Sequence, residues 1–308
     1  MARKTLQGSY RKAAKKRAAL CPAEALLQKM RVAYTRKADG TIVVDGDLSL
    51  RGKGLKELPD LSNVIVRGAF DCSDNELASL AGCPQKIGGD FSCAHNQLTS
   101  LGGGPAEVGK DYSCEYNQLT SLSGMPSVIP GTLDVSHNRL ATLKGCAAGV
   151  GDNFYCDHNA LVSLKGGPLA IGHSYLADNN KLENLEGCPA TVGTLSCDNN
   201  LLTSLEGAPR EVLGSFHIGN NRLTSLAGMP DTVPEEFHCK GNRLHSLEGA
   251  PKNCIYLSTD FGVFDSWADV PDALKRRPEH LRRAEMARKA TVLQETITVR
   301  PLRLKKKP

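Results

Sequence analysis

The chain has little of what most folded domains rely on. Aromatic residues make up 5% of its 308 positions, and there is one tryptophan. No apolar run approaches the ~20 residues that a membrane-spanning helix requires, so a membrane is not an expected partner. The first residues are rich in Arg and Lys but lack the apolar stretch of about 7–15 residues that marks a secretion signal. Synthesis in a cytoplasm is therefore the expectation. Catalytic motifs are also missing. There is no G-x-S-x-G elbow and no C-x-x-C pair. Gly104-Pro-Ala-Glu-Val-Gly109-Lys110 comes close to a phosphate-binding loop, but Asp111 stands where Ser or Thr is required. These gaps imply no catalytic residue and no cofactor, and they argue against an enzyme.

What is there is repetition. An asparagine returns nine times, at Asn75, Asn96, Asn117, Asn138, Asn159, Asn180, Asn200, Asn221 and Asn242, in steps of 21 residues with one step of 20. Five residues before it stands a large apolar group, from Phe70 to Phe237, and three before it a small one, from Cys72 to Cys239. A spacing of two puts both on one face of a strand. Leucines follow two and five residues after every asparagine, and glycine seven after. Proline stands nine after in all repeats but one, where Ala147 replaces it. A period this strict means a coil whose single turn cannot bury its apolar stripe alone. The asparagine amide is suited to satisfy backbone groups in the turn after each strand.

The pattern resembles the leucine-rich repeat, L-x-x-L-x-L-x-x-N-x-L, in its short form similar to bacterial effector and bacteriophage-encoded repeats. Val192-Gly-Thr-Leu195-Ser-Cys197-Asp-Asn-Asn200-Leu-Leu202 fits that spacing directly. The resemblance spans about 48–258, with a degenerate first copy in which Lys53 takes the asparagine's place. It implies a right-handed solenoid of about ten turns. A curved parallel sheet would form the concave face, and an extended or polyproline-like chain the convex face. Some similar effectors are ubiquitin ligases with a catalytic cysteine in a later helical domain. The fifty residues after 258 contain no cysteine, which argues against that activity.

Flanking segments complete the expected organisation. Residues 1–21 read as a basic arm, 22–47 as a cap helix and a strand leading into the coil, and 259–308 as cap helices with a strand-like tail. The wider stretch 2–37 reads as helical, from its Ala, Lys, Arg, Leu and Gln content. A short helix is expected from Ser266 and a longer one from Pro278. Charge divides sharply: residues 1–37 carry eleven Lys or Arg and one acid, residues 259–308 twelve and seven. The remainder of the 38 basic and 33 acidic residues, 15 and 25, gives the middle a net charge of −10. Six of the eleven cysteines occupy the small core position. The other five, Cys21, Cys83, Cys146, Cys188 and Cys254, are the better candidates for exposed thiols, although small size alone explains the three that stand eight after an asparagine.

Function is then sought on the concave face, at the positions six, four, two and one before each asparagine. Five of the eight histidines collect there among acids and tyrosines. The candidate binding residues are Tyr116, Asp134, His137, Tyr155, Asp157, His158, Asp178, Asp198, His217 and His238. No metal ligand set is assigned, though His137, Asp157 and His158 lie on adjacent strands where side chains can meet. Partner anchoring is expected through Arg3, Lys4, Arg11, Lys12, Lys15, Lys16 and Arg17, and through Val299, Leu302 and Leu304. The resulting expectation is a non-enzymatic, protein-binding virion component among neighbouring subunits, with a homo-oligomer as one arrangement. A secreted effector that recognises a host protein is the alternative, and nucleic-acid binding through the basic arm is the third.

Overall fold

A computed structural model describes residues 20–286, except 231, 277, 280, 282 and 285. One sheet of twelve short strands runs through it in sequence order, from Leu48–Ser49 to Gly262–Phe264. Its neighbours pair parallel in a register of one coil, as Leu133 with Tyr112 and with Phe154. The exception is the last pair, where Tyr256–Thr259 turns back on Gly262–Phe264 antiparallel. Tyr256–Thr259 itself adds a parallel strand beyond the ten copies counted from the sequence. The fold is a parallel β-solenoid.

The inward positions make the core. The large residues from Phe70 to Phe237, the small ones from Cys72 to Cys239, and the paired leucines are nearly all fully buried in one continuous cluster. Burying each Leu or Phe contributes about 1.5–3 kcal/mol, and the burial exists only because coils stack. The asparagines join the coils. Asn96 Nδ2 donates to the carbonyls of Cys93, Ala94 and, one coil back, Cys72, at 3.1, 3.1 and 3.0 Å. Its Oδ1 accepts the Leu77 N–H of the preceding coil at 2.9 Å. Asn180 and Asn221 repeat this set.

Large and small residues compensate across coils. Gly104 and Gly167 stand eight after their asparagines, where other repeats carry Cys, Met or Ala. A Cβ on Gly104 would lie 3.6 Å from the Tyr112 hydroxyl, and one on Gly167 3.1 Å from that of Tyr175. Tyrosine thus replaces phenylalanine where the facing residue has shrunk to glycine. The Tyr112 hydroxyl is buried with no hydrogen-bond partner.

The return face is extended and forms short ladders of five, three and two strands, parallel apart from the first pair of the five. At the first end the helix is shorter than the sequence suggests. It spans Pro22–Lys29, with Ala23 and Leu27 buried against the first coil. The chain then forms a hairpin, Thr35–Arg36 against Ile42–Val44, instead of continuing as helix to 37. Ile42–Val44 pairs with Val64–Val66, so it starts the return-face ladder and not the long sheet. β-Branched residues in a row favour this outcome over helix. At the far end the chain closes with a single turn of 3-10 helix, Trp267–Asp269, and Val270 enters the core. Of the expected helix from 278, Glu279, Leu281, Arg283, Ala284 and Met286 are helical, and the rest beyond Pro278 lies outside the described residues. The basic arm (Arg3, Lys4, Arg11, Lys12, Lys15, Lys16, Arg17) and Val299, Leu302 and Leu304 lie wholly outside them.

All eleven cysteines are free. The six ladder cysteines are buried, and burial pushes their thiols well above the usual range. Two of the five candidates for exposed thiols do not qualify. Cys83, eight after its asparagine, and Cys254, twelve after, are buried as well. Cys146 and Cys188 are half-buried, and their thiols are pushed up to about 12 by the same cause.

Candidate functional site on the long sheet

Side chains four and two before each asparagine point away from the core. In the middle coils they form a strip of carboxylates: Glu115, Asp134, Asp157, Asp178 and Asp198, all half-buried. The backbone and serine hydroxyls hold several in place. Asp134 accepts the Ser136 N–H at 2.9 Å. Asp178 accepts the Ser196 hydroxyl at 2.6 Å and the Asp198 N–H at 2.7 Å. Burial raises the Asp134 carboxyl to about 6, and the like charges of Glu115 and Asp157 add to it. Asp178 is raised too, again mainly by burial. Tyr155 lies beside them, and burial followed by the charge of Asp134 holds its hydroxyl above the usual range.

Basic residues bound this strip instead of interrupting it. Lys240 occupies the inner position of the ninth repeat. Arg51 occupies the equivalent position of the degenerate first copy, where it pairs with Asp74 at 2.8 Å. Between them the positions four, two and one before the asparagines contain no Lys or Arg.

The residue directly before each asparagine has left-handed backbone. φ runs from 50 to 56° at Asp74, His95, Tyr116, His137, His158, Asn179, Asn199 and Asn220, and is 81° at Gly241. Asn, Asp, His and Gly tolerate this region better than most residues, which explains the choice at this position. The geometry also aims these side chains along the rim of the sheet, one above the next. His95, Tyr116, His137 and His158 form a stack of four rings, with centroids 4.4, 4.1 and 4.1 Å apart and planes within 13°. His158 Nδ1 lies 2.8 Å from Asp157 Oδ2. Burial, then the proximity of His158, holds His137 below the usual imidazole range.

Of the ten candidate binding residues, the structure gathers Tyr116, His137, His158, Asp157, Asp134 and Tyr155 around one stretch of the sheet. Asp178 and Asp198 continue the strip. His217 and His238 form a separate group near its end. Their rings meet edge to face at 6.0 Å, and His238 Nδ1 lies 3.1 Å from Asp198 Oδ2. His217 Nε2 is buried without a hydrogen-bond partner, 3.7 Å from Glu236. Sequence reasoning missed the left-handed rim position. Its signal was available in the run Asp, His, Tyr, His, His, Asn, Asn, Asn, Gly before successive asparagines.

Comparison with solved structures places this architecture. The chain superposes on YopM from Yersinia enterocolitica WA-314 with a TM-score of 0.51 and 22% identity, over 66% of this chain and 48% of that one. The two share the fold, a parallel β-solenoid. The chain covers about half the length of that YopM. YopM of Yersinia pestis, described as a leucine-rich effector protein, matches at a TM-score of 0.35 and 17% identity, over 75% of this chain and 87% of that one. A leucine-rich-repeat protein of Leptospira interrogans matches at 0.31 and 15%, over 69% and 78%. No family model matches the sequence, and no curated protein does. Among the described residues, no helix is long and apolar enough to cross a membrane.

Proposed function

We propose that this chain is a non-enzymatic module that binds a basic segment of a protein partner along its long sheet. One observation carries this reading: a strip of half-buried carboxylates, Glu115 to Asp198, with no Lys or Arg between Arg51 and Lys240 at the outward positions. Partly desolvated like charges repel, and Asp134 near 6 records that cost. A Lys- or Arg-bearing partner relieves it, and the tyrosine and histidine rings beside the acids supply faces for a guanidinium. The test is fluorescence anisotropy with two unstructured peptides of equal length, one Lys/Arg-rich and one Glu-rich. The full chain should bind the basic peptide, more weakly as salt rises, and Asp134→Asn/Asp157→Asn/Asp178→Asn should lose most of that binding. Equal affinity for both peptides, or an unchanged triple variant, counts against the reading.

The finer reading sets this module in a larger assembly. The acidic middle and basic ends support a virion component anchored through its termini to neighbouring subunits, with the coil displayed outward. Ends that proteases cut in the isolated chain and spare in particles support it, and equal cutting in both opposes it. The rivals are a secreted effector using the same sheet on a host protein, and a nucleic-acid binder using the basic arm. Detection in culture supernatant without particles favours the first, and DNA affinity abolished by deleting 1–20 favours the second.

A further inference from the structure

We propose that His137, Asp157 and His158 form a binding site for a late first-row divalent metal ion such as Zn²⁺ or Cu²⁺. Each offers one ligand atom, and the three atoms lie within 4.8 Å of one another. They come from two successive coils. His137 and His158 are the same position of neighbouring repeats, and Asp157 immediately precedes His158. Their backbones are fixed independently of any ion. The His137 N–H donates to the Asp157 carbonyl at 3.0 Å and the His158 N–H to that of Asp178 at 3.0 Å. The asparagines that follow, Asn138 and Asn159, tie both turns to the preceding coil.

The donor set selects the ion. Two imidazoles and one carboxylate suit Zn²⁺, Cu²⁺ or Ni²⁺, whereas Ca²⁺ and Mg²⁺ prefer six or more oxygen ligands. Three protein ligands leave a fourth position open to water or to a partner's side chain. His158 is exposed and the other two half-exposed, so the ion has a path in. Bond lengths of about 2.0–2.2 Å require ligand atoms nearer to each other than 4.8 Å. Contraction by about an ångström is needed, and side-chain rotation supplies it. The two imidazole planes lie nearly parallel, 13° apart, so one ring must also turn for both lone pairs to converge. The cost is a ring stack of about 0.5–1.5 kcal/mol and the exposed His158–Asp157 hydrogen bond, together small against the affinity of such a donor set.

The fold itself supplies conservative variants. Three later repeats place asparagine at the histidine position with the same left-handed backbone: Asn179, Asn199 and Asn220. His137→Asn and His158→Asn therefore remove the ligands while keeping the turn. Calorimetric titration of the full chain with Zn²⁺ should show one equivalent bound with saturation, and Ca²⁺ should not compete. Co²⁺ substitution should give visible d–d absorption of a nitrogen- and oxygen-ligated ion. Each Asn variant and Asp157→Asn should lose at least about tenfold in affinity. His173→Asn, which removes the His173–Asp152 pair elsewhere on the coil, should change nothing. Absence of saturable Zn²⁺ binding overturns the proposal, and so does binding that survives in His137→Asn/His158→Asn with its circular dichroism unchanged. Neither result bears on peptide binding to the carboxylate strip.

Discussion

The two faces of this coil are written in the same repeat yet differ in continuity. The long sheet passes through twelve strands without a break, whereas the return face divides into ladders of five, three and two. The difference lies in what crosses from one coil to the next. On the long sheet each asparagine spans the gap with both ends of its amide. On the return face the recurring residues are glycine and proline. They fix the local path of the backbone but carry no side chain that ties one coil to another. One seam lies between Ala170–Ile171 and Thr191–Val192, next to the shortened link Gly193-Thr194 of the single 20-residue step. Leu169 stands exposed beside it. Cross-coil hydrogen bonding by a side chain, more than strand propensity, keeps a stack of two-residue strands in register.

Removing the amide from the long sheet is the strongest way to break this contrast. Asn180→Ala deletes four hydrogen bonds and leaves buried backbone groups of two coils unpaired. Urea unfolding should show a loss of about 3–5 kcal/mol. The expectation for Pro168→Ala on the return side is below about 1 kcal/mol. A comparable loss from both would mean that the asparagine is not what distinguishes the faces.

Glycine substitution separates two positions of the return side, with smaller effects. Gly187 has φ of 99°, and a Cβ there would lie 2.4 Å from the Lys165 backbone nitrogen. Gly187→Ala should cost about 2–3 kcal/mol, through strain and a displaced neighbouring coil. Gly149, on the return face, has open space around its Cβ position. Gly149→Ala should be neutral or stabilising by up to about 1 kcal/mol. Thermal unfolding of the two variants side by side checks the ranking.

Acidity sharpens the comparison further, because Asp134 and Asp178, the carboxyls that burial raises, sit on the long sheet. The Asp134 carboxyl is raised to about 6 from an unfolded value of about 3.9. The folded state therefore holds the proton more tightly. Its contribution is fully present below about pH 4 and is lost as pH rises through 6. Asp134→Asn should flatten the stability profile between about pH 4 and 6 and stabilise the chain by about 1–2 kcal/mol at neutral pH. A variant profile parallel to that of the parent chain would show that Asp134 titrates normally. The smallest change concerns the core between the faces. Tyr112→Phe removes a buried hydroxyl with no partner and should be neutral to about 1 kcal/mol stabilising, by denaturant midpoint.

Much of this fold was legible from single positions. The pairs Phe91 and Cys93, and Leu98 and Leu101, mark which side chains turn inward, because a period of two and a period of 21 leave no other consistent assignment. The outward acids could be named for the same reason. The helical reading of 2–37 held at Pro22–Lys29 and failed beyond it. Composition favours helix there, yet Thr35–Arg36 finds a strand partner in Ile42–Val44. Cys83 and Cys254 stood among the candidates for exposed thiols, and the closed coil buries both. The candidate site was legible as a list and not as an arrangement. His95, Tyr116, His137 and His158 are 21 residues apart, and nothing in their spacing shows that left-handed turns will bring their rings to about 4 Å of one another.

The sequence by itself determined the period, the inward ladders and the placement of charge, because each follows from residue identity at a fixed offset. The tertiary structure alone decided which carboxylates lose their water, which rings stack, and where the return face comes apart. Those properties depend on the distance between residues one coil apart. That distance exists only once the coils have closed on each other and the amides have bridged them.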